Sequence, residues 1–167
     1  MTTDIAPDVF TADYEGEPGQ RAFYLQARSA AGNVTLGIEK AQVAALAEKL
    51  QELLLLVDHD DVVRGGTPAR DPELALEPEA PGGRVGTIGL AYEEDDDRVV
   101  VLLQTGEDDD DEESLVRLTL RREQVRAFVL HAVAVVAEGR PLCQLCGLPM
   151  DPEGHACPAS NGHRLGA

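Results

Sequence analysis

The stretch V-T-L-G-I-E-K-A-Q-V-A-A-L, residues 34–46, decides how the chain is organised, because it recurs as V-R-L-T-L-R-R-E-Q-V-R-A-F at residues 116–128. At a shift of 82, Val34, Leu36, Ile38, Lys40, Gln42, Val43, Ala45 and Leu46 meet Val116, Leu118, Leu120, Arg122, Gln124, Val125, Ala127 and Phe128. The match crosses two periodicities. Residues 34–38 and 116–120 alternate apolar side chains with others, which is the pattern of a strand with one buried face. Beyond each strand the apolar residues recur at spacings of three and four, as Val43, Leu46, Leu50, Leu53, Leu54 and Val57 and as Val125, Phe128, Val129, Ala132, Val135 and Val136. Each of these runs predicts a helix that buries one stripe.

Working outward, a hairpin pattern precedes each strand-helix unit. Residues 8–15 and 21–29 read as two strands joined by Gly16, Pro18 and Gly19, and residues 85–93 and 98–105 read as two strands joined by an acidic turn. Tyr14-Glu15 ahead of Arg21 mirrors Tyr92-Glu93 ahead of Arg98, with one residue fewer in the second turn. A three-stranded meander with one helix is too small to exclude much water from its own core, so two of them must combine. The expected fold is α+β: two tandem β-β-β-α repeats, residues 1–57 and 84–139, with antiparallel sheets and pseudo-twofold symmetry. Residues 58–83, rich in Pro, Gly, Asp and Glu, read as a flexible linker that Leu74 and Leu76 could tack to the surface. Residues 140–167 form a separate tail.

Composition narrows the function classes. The chain has 167 residues, 43% of them hydrophobic and 27% charged, which are ordinary globular values. No apolar run reaches the roughly 20 residues that cross a bilayer, and the start lacks the pattern of a signal peptide, so a cytoplasmic location is expected. Fourteen Lys and Arg against 31 Asp and Glu give a net charge of -17, which opposes phosphate backbones. Negative charge concentrates in Glu93–Asp97 and Glu107–Glu113, two runs flanking one strand. Neither has the ligand spacing and Gly of a calcium loop, so both read as solvated loops or an acidic docking surface. Asp58-His59-Asp60-Asp61 reads as a helix end with solvated charges.

Three cysteines within 15 residues, Cys143, Cys146 and Cys157, are an odd number and make a disulfide framework a poor reading. Cys143-Gln144-Leu145-Cys146-Gly147 has the form of a zinc knuckle, in which a tight turn presents two thiolates and Gly accepts the backbone conformation after the second ligand. Pro149, Asp151, Pro152 and Gly154 favour a turn that returns the chain and delivers His155 and Cys157 to the same place. The expected site is a closed, structural Cys3His zinc centre of Cys143, Cys146, His155 and Cys157, with His163 competing for the fourth position. Zinc would supply on the order of 10 kcal/mol of ordering free energy to a tail with no core of its own.

The repeated strand-helix pattern and the ending CQLCGLPMDPEGHACPASNGHR together resemble the uncharacterised actinobacterial proteins grouped as domain of unknown function 3090. The resemblance spans nearly the whole chain. It implies a bacterial cytoplasmic protein without an established activity, sharing CxxC and HxC pieces that match Cys143, Cys146, His155 and Cys157. Many members carry an aromatic where this chain has His163, which favours His155 as the ligand.

For function the sequence offers no GxxxxGK[ST], GxSxG or HExxH, and Gly83, Gly86 and Gly89 lie on a strand rather than in a GxGxxG turn. His131 inside the second helix reads as a satisfied core histidine rather than a catalytic base. The expected function is a non-enzymatic, zinc-containing interaction or regulatory protein with a protein partner and neither membrane nor small-molecule substrate. An enzyme with a site in the seam between the repeats is the first alternative, and nucleic-acid binding through the tail the second.

Overall fold

A computed structural model describes residues 2–17, 19–57, 67–106 and 114–138, together with the backbone of residues 155–156 and 164–165. Met1–Val136 and Ala137–Ala167 are two compact units. In the first, the elements run β1 (Thr2–Ile5), β2 (Val9–Glu15), β3 (Ala22–Ser29), β4 (Gly32–Ile38), α1 (Lys40–Val57), a 3-10 turn (Pro72–Leu74), β5 (Val85–Glu93), β6 (Arg98–Thr105), β7 (Ser114–Leu120) and α2 (Arg122–Ala137). In the second, β8 (His155–Ala156) pairs antiparallel with β9 (Arg164–Leu165). The fold is α+β, and no helix among the described residues is long and apolar enough to cross a membrane.

There are two main sheets. One has the order β2-β3-β4, the other β1-β7-β6-β5, antiparallel except where β1 runs parallel to β7. The alternating pattern sets the register, because a slip of one residue would turn every apolar side chain outward. In the first meander the inward ranks are Tyr14-Phe23-Ile38, Ala12-Leu25-Leu36 and Phe10-Ala27-Val34. In the second they are Tyr92-Val99-Leu120, Leu90-Val101-Leu118 and Ile88-Leu103-Val116. Helix residues Val43, Leu46, Leu50, Val125, Phe128 and Ala132 complete a single buried cluster with both sheets.

The turns depart from the sequence reading. Glu15 pairs with Ala22 and Glu93 with Arg98, leaving residues 16–21 in one turn and 94–97 in the other, a difference of two rather than one. The longer turn needs Gly16, whose φ is +102° and where a Cβ would lie 2.4 Å from the Gln20 carbonyl oxygen. The third turn differs the other way: Ser29 pairs with Gly32, whereas Thr105 pairs with Ser114 across the acidic residues 107–113, which lie outside the described residues.

The strand β1 was not visible as a strand in the sequence, since four mostly exposed residues carry no alternation. It places Ile5 opposite Leu118, and the run ahead of β5 does the same against β4: Gly82 N–H donates to the Thr35 carbonyl and Gly37 N–H to the Gly83 carbonyl, both at 2.9 Å. Each meander is thus approached along the third strand of the other. The helices cross over as well. At each start a glutamine reaches back to the residue before the helix, Gln42 Oε1 accepting from Glu39 N–H and Gln124 Oε1 from Arg121 N–H, both at 2.9 Å. The amide nitrogen of Gln42 then donates to the Gly86 carbonyl at 3.0 Å, and that of Gln124 to the Pro7 carbonyl at 2.7 Å.

Of residues 67–83, read from composition as part of a flexible linker, residues 70–79 lie as a strap on the outward face of the first sheet. Its anchors are polar. Thr11 Oγ1 donates to the Leu74 carbonyl at 2.5 Å, and Gln26 exchanges a pair of bonds with Glu77, giving Nε2–H to its carbonyl at 3.0 Å and accepting from its N–H at 2.9 Å. Arg28 donates to the Ala75 and Glu73 carbonyls, and Thr35 Oγ1 to Glu79 at 3.1 Å. Composition measures apolar surface and misses this kind of fixation. Residues 58–66 lie outside the described residues.

Candidate functional site

Each helix meets the first strand of the opposite meander, and these two seams are built very differently. Where α2 meets β2, Phe10 and Phe128 stack on the inward side with centroids 4.5 Å apart, while the strap lies on the outward side of β2, where Leu74 is 8% exposed and its carbonyl accepts from Thr11. Asp71 N–H donates to His131 Nδ1 at 2.9 Å. A nitrogen that accepts carries no proton, so His131 is the neutral tautomer with its proton on Nε2, 3.1 Å from Asp13 Oδ2. Asp13 also accepts from Tyr14 N–H at 2.8 Å, and its two oxygens accept from Arg70 Nη2 at 2.6 and 2.5 Å.

Burial pushes the Asp13 carboxyl up, but hydrogen bonds from His131, the Tyr14 N–H and Arg70, with the charge of Arg70, outweigh it and hold the group below its ordinary value of 3.8. His131 and Asp13 are 1% and 2% exposed. A general base must reach its substrate, and His131 has both ring nitrogens engaged beneath the strap. The pair fastens the strap to α2 and β2.

Where α1 meets β5 there is a groove of about 590 Å3. Its walls are Ala45, Leu46, Leu53, Leu56, Ile88 and Leu90, with Lys49 and Glu52 on the rim. Lys49, at the helix position of His131, has a side chain 63% exposed and an ion pair to Glu52 at 3.2 Å. Leu56 is 77% exposed. Through Leu53 and Leu56 the groove opens into a second hollow lined by Val57, Tyr92, Glu94, Asp95 and Arg122. There Tyr92 OH donates to Asp97 Oδ1 at 2.5 Å and Arg122 Nε to the same oxygen at 2.7 Å. These bonds hold the Asp97 carboxyl below the usual range, and the Tyr92 and Asp97 oxygens raise Arg122 above its ordinary value. Asp97 adopts φ +53°, a left-handed turn conformation that Asp tolerates. Glu94 and Asp95 make no ion pair among the described residues.

Of the sequence-derived metal ligands, Cys143, Cys146 and Cys157 lie outside the described residues, as does His163, and His155 is placed only through the backbone of β8. The donor set itself fits zinc: three thiolates and one imidazole satisfy its tetrahedral preference without an open position. Among the described residues no group of three or more His, Cys, Asp or Glu is placed to hold a metal. The sequence reading overlooked Asp13, Thr11 and Gln26, whose alternation in β2 and β3 marks them as solvent-facing until the strap covers them. It also overlooked the groove, although four consecutive leucines at 53–56 exceed what one helical stripe can bury.

Comparison with known proteins adds a family. A family model described as "Protein of unknown function (DUF3090)" matches residues 5–157. No curated protein and no solved structure matches the chain.

Proposed function

Because that match makes the chain a member of a family of unknown function, DUF3090, we propose from its own residues that it is a non-enzymatic interaction or regulatory protein of the bacterial cytoplasm. The open groove between α1 and β5 carries the reading. A leucine left 77% exposed beside Leu53, Ile88 and Leu90 is costly to keep in water unless something covers it in use. The buried ionisable pair, by contrast, is spent on fastening the strap. The body is read as a tandem copy with a pseudo-twofold relation, supported by the equal strand registers and by the exchanged contacts of Gln42 and Gln124. Self-complementary exchange of this kind is what a twofold axis produces.

The tail is read as a structural zinc knuckle of Cys143, Cys146, His155 and Cys157. Zinc there would fix the four ligands and the turn between them, with no open position for substrate. Elemental analysis of protein purified under reducing conditions should return one zinc per chain. Cys146→Ser should release it and expose residues 141–167 to protease while the melting of the body stays unchanged. Metal-free wild-type protein would remove zinc from this reading. For the interaction, a partner retained by the wild-type chain in its native host should be lost on Leu56→Lys, and retention unaffected by that change would remove the groove from it.

A further inference from the structure

Resting on the interaction reading above, we propose that the groove between α1 and β5 docks an extended segment of a partner protein that presents apolar side chains followed by Lys or Arg. Two features fix this chemistry. The first is how the fold treats its other seam. There a proline-containing segment with a 3-10 turn lies beside β2 and α2, its main-chain atoms bonded by the Thr11 and His131 side chains and its Leu74 buried. The seam at α1 and β5 has a similar helix-beside-strand arrangement, since Gln42 holds α1 to Gly86 at the start of β5 and Gln124 holds α2 to Pro7 just ahead of β2. Small residues, Gly86 on β5 and Ala45 on α1, line the groove at the end where Gln42 bonds the Gly86 carbonyl. β5 is also an edge strand of its sheet, so an extended segment beside it could add main-chain bonds.

The second feature is charge. The groove is apolar from Ile88 to Leu56 and then meets Glu94 and Asp95. α1 ends there at Val57, and the carbonyl end of a helix carries partial negative charge. The cations nearby are committed: Arg122 holds Asp97 and Tyr92, and Arg98 donates to the Asp96 and Asp97 carbonyls. An apolar ligand with a cationic end satisfies both halves. A second copy of this chain does not, because each copy carries a net charge of -17 and would bring like charge to the acidic end. Nor does the chemistry suit an acidic peptide.

The test is selection from a displayed library of random nonapeptides against the full-length, zinc-loaded protein. The expected result is enrichment of sequences with two or more Leu, Ile, Val or Phe followed within three residues by Lys or Arg. A synthetic peptide from that pool should lose at least tenfold in affinity on Leu56→Lys. It should lose three- to tenfold on the paired change Glu94→Gln with Asp95→Asn, and weaken with salt. Enrichment of acidic sequences, or binding indifferent to both variants, overturns the proposal. Sedimentation showing a dimer that Leu56→Lys converts to monomer makes a second copy the occupant and also overturns it. No selection at all, together with a fall in melting temperature on Leu56→Lys, means that the chain itself already fills the groove and overturns it too. If the native-host partner is lost on Leu56→Lys while no basic peptide is selected, the interaction reading stands and a basic, apolar segment is the wrong ligand.

Discussion

The two helix-strand seams share a geometry and differ in their finish. At α2 and β2, the position of Lys49 is taken by His131 and the outward residues of the strand are Thr11 and Asp13, which give the strap something to bond. At α1 and β5 the corresponding outward residues are Gly89 and Ala91, which offer no side-chain partner. Two similar helix-strand seams can therefore be closed in one case by a few polar residues and left open in the other. The difference teaches that the fold alone does not fix where surface is available; short polar anchors do.

Breaking the closed seam should have the largest effect. Asp13→Ala leaves the Nε2 proton of His131 buried without its acceptor and removes one ion pair of Arg70, so unfolding in urea should show a loss of about 4 kcal/mol. The pH dependence carries a sign. A carboxyl held below its ordinary 3.8 in the folded state stabilises the fold above that value, and the contribution is lost as pH falls through the depressed folded value. The gap between wild type and Asp13→Asn should accordingly be widest near neutrality and shrink below about pH 4. A gap that does not narrow in acid would show that Asp13 acts by shape alone.

Leu74→Ala tests the strap itself. A buried Leu to Ala change costs about 2–5 kcal/mol, and a segment on the outer face can settle into the space, so the low end, about 2 kcal/mol, is expected. Hydrogen exchange at the Asp71 amide, bonded to His131, should rise with it. If exchange rises without any loss of stability, the strap is a cover rather than a support.

Most of the framework was readable because strands and helices declare themselves by period. The alternation at residues 34–38 and 116–120 and the stripes led by Val43 and Val125 became β4, β7, α1 and α2. What escaped depends on partners remote in sequence. β1 is short and exposed, and it exists because β7 offers an edge 110 or so residues away. Gln26 reads as an outward polar residue until Glu77 meets it. The strap is invisible to composition, which counts apolar surface and not well-placed carbonyls. The metal ligands present the opposite case: the spacing of Cys143, Cys146, His155 and Cys157 is explicit in the sequence, and the described residues contain only the backbone of one of them.

The exchanged glutamines sharpen the comparison, since at these positions the two seams are alike. Gln42→Ala and Gln124→Ala each remove a reach-back cap and a bond to the opposite meander. Each should cost about 1 kcal/mol by thermal or urea unfolding, and the two values should agree within about 0.5 kcal/mol. Equal costs locate the asymmetry in the strap. A cost confined to Gln124 would mean that the open seam is loose even where its bonds are the same.

The smallest effect belongs to the open seam. Leu56→Lys removes a side chain that is already 77% exposed, so little apolar contact is forfeited, and a cation in the last turn of α1 suits the negative end of the helix. The expected change in stability lies within about 0.5 kcal/mol, in either direction. The same substitution is expected to abolish partner binding, which separates function from folding at one residue. Should it destabilise the protein by more than about 1.5 kcal/mol, Leu56 must be buried in solution, and the contrast between a closed and an open seam would no longer hold.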